Sequence, residues 1–66
     1  MQNTHREVLL DTYEDVIQLS ELLGHKGIID NVFNAYHTGK RIIDLTDSEI
    51  AKLINQILKS LLSLQA

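Results

Sequence analysis

From Thr4 to Leu23 the apolar residues recur at helical spacing. Val8, Leu9, Leu10, Tyr13, Val16, Ile17, Leu19, Leu22 and Leu23 share roughly two thirds of a helical wheel, and Asp11, Glu14, Asp15, Gln18 and Glu21 fill the remainder. The pattern predicts a first helix over about 4–23 whose apolar face is too wide for one neighbour. A second set, Ile28, Ile29, Val32, Phe33 and Tyr36, steps by three and four and predicts a shorter helix over about 28–38, with Asp30, Asn31, Asn34 and His37 on its other side. In the third stretch Ile50, Ile54, Ile57, Leu61 and Leu64 alternate by four and three, the repeat of a helix-on-helix seam, while Leu53, Leu58 and Leu62 widen the stripe to about half the wheel. That helix is expected over about 47–64.

The residues between these periods read as helix boundaries. Thr4 with Glu7, and again Thr46 with Glu49, has the Thr-x-x-Glu spacing in which side chains and backbone N–H groups satisfy each other at a helix start. Leu45, just ahead of the second pair, is placed to pack on Ile50 and fix the entry angle of the chain. Gly24 and Gly39 suit the left-handed backbone that closes a helix, and His25 and Lys26 follow at the negative end of the first helix dipole. Between Gly39 and Thr46, "RIIDL" reads as an extended connector that plugs the core with Ile42 or Ile43; a short strand is the alternative.

Size changes what this pattern can do alone. A chain of 66 residues buries only about 60% of its unfolded surface, so further support is expected. Cysteine is absent, and His5, His25 and His37 lack a short metal-ligand spacing, which leaves self-association as the expected source. The expected architecture is therefore an all-α, three-helix compact domain in a homodimeric helical bundle. Its dimer and core seam would be Ile50, Ile54, Ile57, Leu61 and Leu64, with the third helix and part of the first across a two-fold axis.

Charge and composition narrow the function classes. A net charge of −3 with only 6 Lys and Arg argues against a protein held to nucleic acid mainly through phosphates. No apolar run approaches the ~20 residues of a membrane span, and "MQNTHREVLL" lacks the order of a secretory signal, so a cytoplasmic protein with no membrane partner is expected. The "HTGKRI" stretch lacks the earlier glycine and the following Ser or Thr of a phosphate loop, having Asn34 and Arg41 there. Lys40 and Arg41 are left as candidate contacts for an acidic partner. Asp11, Glu14 and Asp15 lie on the wettest face of the first helix, where nothing would raise a carboxyl pKa for acid–base work. No catalytic residue, cofactor or metal site is expected.

"LSELLGHKGIIDNVF" resembles a helix-turn-helix, with small Ser20, a turn glycine at Gly24, and apolar Leu19, Leu23 and Phe33. It departs from that motif at His25 and Asp30, where apolar residues belong. "GKRIIDLTDSEIAKLINQIL" resembles the stretch after the reading helix in phage-repressor-type domains, displaced by about three residues. That resemblance implies a dimeric DNA-binding regulator whose base and phosphate donors would come from Lys26, Asn31, Asn34 and His37. "VFNAYHTGKRI" followed by "IAKLINQIL" also resembles small enterobacterial stress and biofilm connector proteins, which are helical and regulatory, aligned with gaps on both sides. The first expectation is a non-enzymatic regulatory or adaptor protein that binds itself and a larger bacterial or phage protein, with Asp11, Glu14, Asp15, Glu21, Lys40 and Arg41 as candidate partner contacts. The DNA-binding regulator is the alternative.

Overall fold

The structure is a computed structural model that describes residues 5–65. It contains three helices, α1 (His5–Leu22), α2 (Gly27–His37) and α3 (Asp47–Gln65), with a 3₁₀ turn at Ile42–Asp44 between the last two. No strand occurs among the described residues. The Thr4 end of the first capping pair lies outside them.

Glycine and a polar pair set the joints. At the end of α1 the His25 N–H donates to the Ser20 carbonyl at 2.8 Å and the Gly24 N–H to the Glu21 carbonyl at 3.1 Å, with Gly24 at φ +78°. This double bond pattern satisfies carbonyls the helix would otherwise leave open, and it needs a left-handed residue at its centre. After α2, Thr38 (φ −54°, ψ 131°) and Gly39 (φ +80°) make a type II turn closed by the Lys40 N–H on the His37 carbonyl at 3.1 Å. At the start of α3 the Thr46 N–H donates to Glu49 Oε1 at 2.8 Å, and the Glu49 N–H donates to Thr46 Oγ1 at 3.2 Å. Both halves of the capping box are formed, and Leu45 and Ile50 beside it are fully buried.

Within "RIIDL" only Arg41 and Leu45 are extended; Ile42–Asp44 between them form a 3₁₀ turn, and no strand forms. The Asp44 carboxylate accepts the Arg41 N–H at 3.0 Å while the Asp44 and Leu45 N–H groups donate back to the Arg41 and Ile42 carbonyls. That local pairing winds the segment into one tight turn, which outweighs the strand preference of two isoleucines. It points Leu45 and Ile42 inward and leaves Ile43 61% exposed.

α3 is the hub. It packs on both α1 and α2, which touch each other far less. α1 and α3 run parallel, since Arg6 near the start of α1 pairs with Asp47 at the start of α3. α2 runs back the other way, with Ile28 near Leu64 and His37 near Glu49. Ile50, Leu53, Ile54, Ile57 and Leu61 of α3 make the core with Val16, Ile29, Val32 and Leu45, while Leu9, Tyr13, Ile17 and Phe33 pack at its edges.

Four residues of the expected dimer and core seam lie in the core of one chain. Ile50 and Ile57 are 0% exposed, and Ile54 and Leu61 are also buried. They are covered by α1, α2 and Leu45. Leu64, in the last turn of α3, lines an open groove beside Ile28 of α2 and stays exposed. Tyr36, placed on the apolar side of α2 by spacing, is exposed as well.

Candidate functional site: the α1–α3 flank

The apolar surface that one chain leaves open is concentrated beside the α1–α3 seam. On α3, turning away from the buried arc on the side that meets α1, come Leu58, Ala51 and Leu62; Asn55, Lys59 and Lys52 lie further round and line the groove toward α2. On α1, turning away from Val16 on the side opposite Tyr13 and Ile17, come Leu23, Thr12, Leu19 and Val8, and beyond them Asp15, Leu22 and Asp11. In two parallel right-handed helices side by side, these turns open onto the same face, the one away from α2. Leu62 is 70% exposed and Leu22 85%, and Val8, Leu19 and Leu23 are exposed too. Thr12 adds no free hydroxyl, since its Oγ1 donates to the Val8 carbonyl at 2.9 Å. The face is an apolar ridge with the exposed carboxylates of Asp11 and Asp15 along its α1 border.

The rest of the α1 acidic stripe, Glu14 and Glu21, points further from the seam and is exposed. Lys40 and Arg41 do not join that stripe. Arg41 Nε turns to Asp44 of its own turn at 3.8 Å, and Lys40 lies near Glu49. The Glu49 carboxyl is held below its ordinary range chiefly by the hydrogen bond from the Thr46 backbone; burial opposes this, and Lys40, the Thr46 side chain and His37 add to the lowering. Lys40 and Arg41 thus serve the joint before α3. On α2, Lys26, Asn31 and Asn34 are exposed with Asp30 among them, and His37 is half-buried against Phe33, ring centroids 5.7 Å apart.

Two open grooves flank α2. One, of 530 Å³, lies between Tyr36 and His37 of α2 and Lys52, Gln56 and Lys59 of α3. The other, of 540 Å³, lies between Ile28, Asn31 and Ala35 and the last turn of α3. Neither brings a serine or threonine hydroxyl together with a histidine and an acid. No group of three metal-ligating side chains occurs among the described residues, and no helix among them is long and apolar enough to cross a membrane.

Sequence reasoning put Lys52 and Lys59 on the polar half of the third helix, facing water, and both are exposed. It passed over the pairing of Arg6: its Nε meets Asp47 Oδ1 at 3.2 Å and its guanidinium donates to the Leu45 carbonyl, contacts made only by tertiary packing. The chain matches no protein-family model, no curated protein and no solved structure.

Proposed function

We propose that this protein is a non-enzymatic regulatory or adaptor module that works by covering other polypeptide surfaces, as a homodimer and against a larger protein. One observation carries the reading. The α1–α3 flank leaves Val8, Leu19, Leu22, Leu23 and Leu62 in water although the chain has a well-sealed core elsewhere. A contiguous apolar ridge rimmed by charge is the usual signature of an interaction surface. Shape supports it, since the surface of 4739 Å² exceeds the about 4,300 Å² typical of a lone globular chain of 7.5 kDa.

The outward carboxylates Glu14 and Glu21 supply the second surface, one that steers a basic partner. The test is capture from the native host with wild-type protein and with Glu14→Lys/Glu21→Lys. The wild type retains a specific chain and the variant loses it, while circular dichroism shows both equally helical. The reading is overturned if the wild type captures no protein and instead binds duplex DNA with an affinity that falls steeply with salt.

A further inference from the structure

We infer that the trough along the α2–α3 seam receives an acidic amphipathic helix of a partner protein, with carboxylates over Lys52 and Lys59 and apolar side chains over Ile28, Ala35 and Leu64. This surface is separate from the α1–α3 flank and from Glu14 and Glu21. It adds a partner to the adaptor reading and stands whether or not the chain dimerises.

Shape comes first. The two open grooves beside α2 share Tyr36 as a lining residue, and on α3 Gln56 of one and Ser60 of the other are successive turns of one face. They therefore join into a single trough that runs about 22 Å from Glu49 to Leu64, the length of a helix of about fifteen residues. The trough changes character along that path. From Tyr36 toward Leu64 no charged side chain lines it, and Ile28, Val32 and Ala35 form its α2 wall. From Tyr36 toward Glu49 it carries Lys52 and Lys59 above the buried Leu53, with His37 opposite. Tyr36 itself is 60% exposed where the two halves meet. An aromatic ring so placed is a ready anchor for an incoming apolar side chain, and a trough between two helices suits a third helix laid into it.

Charge identifies the occupant. The chain has a net charge of −3 and only 6 Lys and Arg, of which Arg6 and Arg41 are held in ion pairs with Asp47 and Asp44. Lys52 and Lys59 form no ion pair among the described residues, and both line the trough. The acidic stripe of α1 reaches neither groove. Glu49 is the one acid on the lining, and its carboxylate is turned to the Thr46 N–H at the start of α3. An anionic partner supplies the complement that the chain's own side chains leave unmade. Lys52 and Lys59 stand two turns, about 10.5 Å, apart along α3, a spacing matched by carboxylates seven apart on the incoming helix. Nucleic acid fits less well, because two lysines displace few counterions and the neutral half of the trough offers a phosphate backbone no cation.

The test is selection from a phage-displayed library of random peptides of about fifteen residues against the 66-residue chain, followed by fluorescence anisotropy and amide chemical-shift mapping with the selected peptides. The selected sequences carry paired carboxylates beside apolar residues at helical spacing, and their shifts centre on Tyr36 and Gln56. Lys52→Glu/Lys59→Glu weakens them at least about tenfold, whereas Lys52→Arg/Lys59→Arg holds them within about twofold. Tyr36→Ala, which removes the ring and no charge, weakens them at least about fivefold. Circular dichroism checks that the variants remain folded, as expected for changes at exposed positions.

A selection that enriches nothing, peptides with no excess of acid, or peptides that bind Lys52→Glu/Lys59→Glu at full strength overturn the inference. Shifts confined to the α1–α3 flank overturn it as well. Duplex DNA that displaces the peptides and binds more tightly than they do at about 0.15 M salt assigns the trough to nucleic acid instead. None of these failures touches the dimer face, which sedimentation of the wild-type chain measures by itself.

Discussion

Thr46 and Glu49 show how two side chains decide where a helix begins. Their reciprocal hydrogen bonds satisfy backbone N–H groups that would otherwise face water or the buried Leu45. Thr46→Ala should lower stability by about 1 kcal/mol, or about 4–8 °C in melting temperature. Acid should act on the same contact. The folded Glu49 carboxyl lies below its ordinary value, chiefly through the Thr46 backbone bond. Its contribution is therefore present above the ordinary carboxyl range and is lost as pH falls through the lowered folded value. Urea melts across that range should show the gap between wild type and Glu49→Gln closing in acid. A gap that stays constant would mean that the carboxylate adds nothing to the cap.

At the scale of elements, α3 holds the molecule together, because its buried arc faces both of the other helices. Ile57→Asp would place a charge at a position with no exposure and no polar partner, and should leave the chain unfolded. Gln56→Asp, one residue along, turns toward Lys52 and Lys59 at spacings of four and three and should be mild. Circular dichroism of both variants checks this, and a folded Ile57→Asp protein would mean that the core is misplaced. Much of this helix was readable beforehand. The capping box, the left-handed glycines and the period of Ile50, Ile54 and Ile57 are local signals that tertiary packing did not override. Spacing could not say which neighbour covers which part of a wide stripe. Leu58 and Leu61 both belong to the apolar half, yet Leu61 is buried under the other helices while Leu62, one step further round, is left in water. The turn at Ile42–Asp44 was hidden for another reason. Its deciding bond, from the Arg41 N–H to Asp44, competes with strand propensity over too few residues for a pattern to show.

For the molecule as a whole, the unequal distribution of charge matters more than its sum. α1 carries Arg6 against Glu7, Asp11, Glu14, Asp15 and Glu21, whereas α3 presents Lys52 and Lys59 outward. A molecule with Cα extents of 40 × 26 × 15 Å, carboxylates along α1 and lysines in the α2–α3 groove is oriented by its own field as it meets a partner. The candidate interface was only partly legible in the sequence. Its apolar residues could be read off, but the meeting of Val8 and Leu19 of α1 with Leu62 of α3 on one face depends on how α1 packs beside α3, which the Arg6 contacts help to fix.

Those Arg6 contacts have a consequence for how the protein comes apart. α1 buries fully only Val16 and Ser20, and its first turn is tied down by a half-exposed ionic clasp to Asp47 and Leu45. Such a strand of helix peels before the rest of the molecule melts. Amide hydrogen exchange should run at least roughly tenfold faster in α1 than in the middle of α3, and added salt should speed the first turn of α1 while sparing α3. Equal protection in the two helices would show a single all-or-none unit. If α1 does lift first, the wall of Ile50, Ile54 and Ile57 behind it opens briefly to water, and a latch near the beginning of the chain governs how often that happens.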